Sequence, residues 1–143
     1  AADISAEIPS SIQTALWQKF LNVVPWGSLG AVSRAPVGVL RELPATRKMI
    51  KQGMHETSAV AHASKIDLPE GIVEKAMSVL DKAPAGGTTS LQRDIIAGRP
   101  SELDAWTGAV VRLGREKGVA TPLHSFIYHS LLPLEMRARG QVE

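Results

Sequence analysis

Cysteine is absent from the 143-residue chain, which excludes a disulfide framework and any thiolate metal site. Aromatic residues make up only 4%, too few for the base-stacking platforms of single-strand binders. An excess of one charge is also missing. Sixteen Lys and Arg stand against fourteen Asp and Glu, and the formal charge of +2 does not point to nucleic acid. The longest apolar runs are broken by Pro25, Gly27 and Gly30, so no membrane-spanning helix is expected. The opening "AADISAEIPSS" lacks the basic and apolar regions of a signal peptide, and a cytoplasmic protein is the expectation. Neither GxGxxG nor GxxxxGK[ST] occurs, so the chain is expected to hold no nucleotide fold of its own.

What is present reads as one compact all-α domain, 44% apolar and long enough to bury a sizeable core. Ser10 with Gln13 forms a capping box that opens a first helix, predicted to break at Pro25. "WGSLGAVSRAPVGVLREL" then reads as short glycine-punctuated pieces, and Pro44 starts one long helix through "ATRKMIKQGMHETSAVAHASKI". Asp67 with Glu70 predicts a capped helix through "EGIVEKAMSVLDK". A short helix is expected near Ser90. Ser101 with Asp104 predicts a further capping box, on a helix ended by Gly118. Thr121 and Pro122 start the last helix, expected to run to about Pro133 with "RARGQVE" as a frayed tail.

Few residues suggest chemistry. His55 and His62 lie seven apart and His124 and His129 five apart, neither being the i, i+4 spacing that serves one zinc, so no metal is expected. Arg34, Arg41, Arg47 and Lys48 form a basic group that is either solvated surface or a contact for phosphate or an acidic partner. Lys19 falls at helical spacing between Ala15 on one side and Ile12 and Val23 on the other, inside an apolar arc. Its ammonium either snorkels to water or, if buried, is disfavoured as a charge and becomes a usable proton donor near neutrality. Asn22 lies one turn on, on a neighbouring face. Glu102 sits just inside a helix start, where a purely structural acid is common. Ser90 and Asp94, four apart, share a helix face and suit a cap or a ligand contact.

Two stretches give these residues weight together. "ALWQKFL" and "TSLQRDIIAGRPSELD", followed in register by "GAVVRLGREKGVATP", resemble the C-terminal domain of the ketopantoate reductase (2-dehydropantoate 2-reductase) family over most of the chain. The resemblance implies an all-helical domain like that of 6-phosphogluconate dehydrogenase, spanning 1–143 and working with an N-terminal Rossmann domain that binds NADPH. It implies reduction of a small 2-keto acid, ketopantoate to pantoate in pantothenate biosynthesis, with Lys19 protonating the carbonyl oxygen and Glu102 positioning lysine and substrate. Ser90 maps onto the family's substrate serine. A homodimer through this domain is consistent with the family, and the chain alone is expected to be inactive.

Many members carry asparagines four and eight residues after the lysine. Here those positions are Val23 and Gly27, and Asn22 is one residue out of register, a rotation of about 100° on a helix. Asn22 is therefore not a clean replacement for those asparagines, and it stands beside Ser90 as a substrate-binding candidate. The competing reading is a helical interaction or dimerisation module that keeps the fold and has lost the chemistry.

Overall fold

In the computed structural model, which describes residues 11–143, the chain is all helical, with no strand among the described residues. Seven α-helices span Ile12–Ser33 (α1), Val37–Glu42 (α2), Pro44–Ala63 (α3), Ile72–Lys82 (α4), Ser90–Ile96 (α5), Ala109–Lys117 (α6) and Pro122–Ala138 (α7). A π-helical turn, Asp104–Gly108, leads directly into α6. None of these helices is long and apolar enough to cross a membrane.

Helix α1 runs through Pro25 rather than ending there. A proline inside a helix removes one hydrogen bond and costs about 3 kcal/mol. Tertiary packing offsets that cost: Pro25 is buried against α3, so close that a Cβ on Gly53 would meet the Pro25 ring carbon at 2.9 Å. Of the stretch expected as short pieces, Trp26 to Ser33 is the rest of the same helix, which ends at Arg34 in the left-handed region, and Val37–Glu42 is the separate short helix α2. Ser10 lies outside the described residues; the cap observed is Ser11, whose hydroxyl accepts the Thr14 amide at 3.0 Å.

Helix α3 begins at Pro44 as the sequence predicts. The capping box at Asp67 and Glu70 does not form: α4 starts only at Ile72, after Gly71 in the left-handed region, with no side-chain cap. Arg41 donates to the carbonyls of Leu80 and Ala83 at 3.0 and 2.6 Å, and Arg47 grips Asp81, so half of the basic group ties α2 and α3 to the end of α4.

The core lies around α1, which packs on α3, α5 and α7. Leu21, Leu40, Ile50, Met54, Leu91, Leu103 and Ile127 are fully enclosed, each such side chain contributing about 1.5–3 kcal/mol. Helix α7 continues past Pro133 to Ala138, so "RARGQVE" begins inside it and is not wholly a frayed tail. The reason is Glu135, buried in the last turns and bonded to residues far away in sequence.

Candidate functional site

Glu102 stands in a segment whose neighbours are all held. Ser101 on one side is bound by Glu135, and Leu103 on the other is fully buried. Asp104 accepts from Arg112 at 2.6 Å and from the Tyr128 hydroxyl at 3.0 Å, and Thr107 shares a buried 2.6 Å hydroxyl bond with Ser28 of α1. The phenol of Tyr128 is held above its ordinary range, first by burial and then by the Asp104 carboxylate. The Glu102 carboxylate itself is exposed and has no hydrogen bond or ion pair among the described residues.

The local geometry departs from the predicted capping box. Gly108 donates to the Leu103 carbonyl at 3.0 Å, five residues back, in a π step, and Asp104 pairs with Arg112 and Tyr128 instead of with Ser101. Gly108 permits the tight arrangement, because a Cβ there would lie 2.8 Å from the Tyr128 ring and 2.9 Å from the Asp104 carboxylate. The acid that reaches the Ser101 amide is Glu135, thirty-four residues on.

Lys19 lies on α1, which packs against the π-helical turn. It is exposed, not buried in an apolar arc. The enclosed side of α1 carries Thr14, Leu21, Val24 and Ser28, and Leu21 is two residues, ~200° of rotation, from Lys19. Ile12 is 80% exposed and Leu16 61%, so the apolar residues near Lys19 face outward. Lys19 and Glu102 form no ion pair. Their elements nevertheless adjoin: Ala105 lines both the apolar groove of Leu16, Trp17 and Phe20 and the open cavity, about 710 Å³, that Glu102 lines.

Ser90 opens α5 and is exposed, while the cap is its neighbour Thr89, which accepts the Gln92 amide at 3.2 Å. Asp94 is occupied structurally: Arg99 donates to its carboxylate at 2.8 and 3.1 Å. Asn22 is half-buried on α1 and has no hydrogen bond from its side chain among the described residues. Among the described residues no group of His, Asp and Glu is arranged to hold a metal.

Over residues 11–135 the sequence matches the family described as ketopantoate reductase PanE/ApbA C terminal. The chain belongs to the ketopantoate reductase family. It is 32% identical over 124 residues to 2-dehydropantoate 2-reductase of Vibrio cholerae, covering 87% of this chain and 42% of that protein. Among solved structures, the dimeric ketopantoate reductase of Staphylococcus aureus superposes with a TM-score of 0.84 at 27% identity, covering 92% of this chain and 46% of that one. The 2-dehydropantoate 2-reductase of Methylococcus capsulatus gives 0.79 at 32% identity, with 87% and 43% covered. The chain thus spans less than half the length of these relatives.

Two buried carboxylates of this ketopantoate reductase-family chain escaped the sequence reading. Glu135 holds Ser101, and Glu56 of α3 holds the start of α7 by accepting the amides of Leu123 and His124. Neither has a local signature. Glu135 follows Leu134 in a helix-end stretch, and Glu56 sits mid-helix beside His55, where an acid ordinarily faces water.

Proposed function

We propose that the chain is the substrate-binding and catalytic half of an NADPH-dependent 2-keto acid reductase, acting on 2-dehydropantoate or a close relative and producing the 2-hydroxy acid. The observation that carries this reading is Glu102: an exposed carboxylate without a partner, between two fixed residues, inside the stretch that matches the family. A surface acid that served only the helix start would need no such support. The outward apolar face around Lys19 supports the same reading, since Ile12 and Leu16 are left uncovered beside a lysine.

The chain has no glycine-rich phosphate turn, so its residues do not fit a nucleotide site; NADPH is assigned to an N-terminal Rossmann half. This chain's contribution is the proton and the positioning. Lys19 gives a proton to the carbonyl oxygen as that oxygen becomes a hydroxyl, Glu102 orients lysine and substrate, and Ser90 and Asn22 are the candidates for holding the acid's polar groups. The Staphylococcus aureus relative is dimeric, and a homodimer is part of the proposal.

The test is steady-state NADPH oxidation with 2-dehydropantoate by the protein carrying both halves, compared with its Glu102→Gln variant. Loss of turnover with the helical fold intact is expected. Unchanged turnover in Glu102→Gln, or no turnover by the parent protein with any 2-keto acid, would favour an interaction module instead.

A further inference from the structure

Glu135 is only 4% exposed, and its hydrogen bonds converge on one residue. Its carboxylate accepts the Ser101 amide at 3.0 and 3.1 Å and the Ser101 hydroxyl at 2.6 Å. Arg139, one turn on, donates to the same carboxylate at 2.7 Å and to the Ser101 carbonyl at 2.8 Å. Backbone N–H, side-chain hydroxyl and backbone carbonyl of Ser101 are thus all held by one ion pair at the end of α7. Burying a carboxylate is costly unless its lone pairs are satisfied, and an apolar residue would fill the same space without that cost. What the charge adds is a fixed Ser101, and Glu102 is the next residue.

On its other side Glu102 is followed by Leu103, sunk into the core. Its own carbonyl accepts the Trp106 amide at 2.9 Å, which joins it to the π-helical turn. The backbone from which the Glu102 side chain projects is therefore fixed by groups that do not touch its carboxylate. We infer that Glu135 is a positioning residue for the reaction: through Ser101, and braced by Arg139, it holds the backbone from which Glu102 is presented to the substrate. The inference rests on the reading of Glu102 given above.

The experiment is a double-mutant cycle in the protein carrying both halves, with turnover measured well below the unfolding temperature. Glu135→Gln should lower turnover by roughly 100-fold, the scale of a displacement of about 1 Å at a reacting group. In the Glu102→Gln background the same change should cost less than about 3-fold, because groups that act as a unit are not additive. Glu56→Gln, which removes a buried carboxylate at the opposite end of α7, is the control: it should lower the unfolding temperature while turnover stays within about 2-fold of the parent's, as an independent site requires.

Hydrogen exchange on the present chain supplies a second readout. The Trp106 and Gly108 amides should exchange faster in Glu135→Gln while those of α3 do not change. If Glu135→Gln does not fold, Ser101→Ala removes only the hydroxyl and carries the same cycle. Full turnover in the position 135 variant, or losses that multiply with those at Glu102, would overturn the inference while leaving Glu102 in place. Full turnover in Glu102→Gln would remove both readings together, so the two failures are distinguishable.

Discussion

Glu56 and His124 meet at 2.7 Å in the interior, and the same carboxylate accepts the amides of Leu123 and His124 at 3.0 and 3.1 Å. It occupies the place of an N-cap for α7, supplied by α3 instead of the local sequence. Burial pushes the carboxyl upward, but the His124 ring and the two amides together outweigh it and hold it below the ordinary carboxylate range.

A carboxyl depressed in the folded state adds stability that is complete above the unfolded value of about 4.3 and is lost as pH falls through the lower folded value. Glu56→Gln should therefore cost about 2 kcal/mol at pH 7, the scale of hydrogen bonds to a charged group. The difference should shrink below about pH 4.3. Urea unfolding across that range checks both, and an unchanged midpoint at pH 7 would show that the charge does not hold the start of α7.

Local signals were legible wherever one residue decides the backbone. Pro44 and Pro122 open α3 and α7, and Gly118 closes α6 in the left-handed region, as the sequence predicts. Signals that needed a distant partner were not. Pro25 is tolerated because Gly53 of α3 lets it approach, and Ser101 takes its acid from Glu135 instead of from Asp104. Lys19 was legible as an unusual lysine among apolar residues, but Ile12 faces outward and Ala15 and Val23 are only half-buried, a distinction that periodicity alone cannot make.

On the proposed function the chain by itself should show no reductase activity, since its sequence holds no glycine-rich phosphate turn of the kind that binds the hydride donor. NADPH oxidation with 2-dehydropantoate and related 2-keto acids is the measurement. Turnover on the order of 1 per second, an ordinary enzyme rate, would rule out the two-half proposal.

In the protein carrying both halves, Lys19→Ala should lower turnover by roughly 100-fold to 10,000-fold, the range for losing a general acid. Lys19 is exposed and has no hydrogen bond or ion pair from its side chain among the described residues, so circular dichroism should be unchanged. Near-full turnover with chemistry shown to be rate-limiting would take the proton-donor role from Lys19.

On the proposed function, substrate choice would depend on the face of α1 beyond Lys19, where Val23 and Gly27 occupy positions that are asparagine in many sequences this chain resembles. At position 27 packing supplies a reason: a Cβ there would lie 2.7 Å from the Thr89 methyl and 3.0 Å from its hydroxyl oxygen. Thr89 cannot simply withdraw, because it caps α5. An amide at 27 is incompatible with this packing, and Asn22 is turned ~100° from position 23. A site that hydrogen-bonds a substrate hydroxyl rejects analogues lacking it far more strongly than an apolar pocket can. The pocket beside Lys19 should therefore discriminate weakly, turning over 2-keto acids without the ketopantoate hydroxyl with a kcat/KM within roughly 100-fold of that for ketopantoate. Steady-state kinetics on ketopantoate and its deoxy analogue decide it. A preference of about 10,000-fold or more would mean that the hydroxyl is still held, by a rotated Asn22 or by the other half of the protein. Asn22→Ala then separates the two, since only the first loses its preference when the amide is removed.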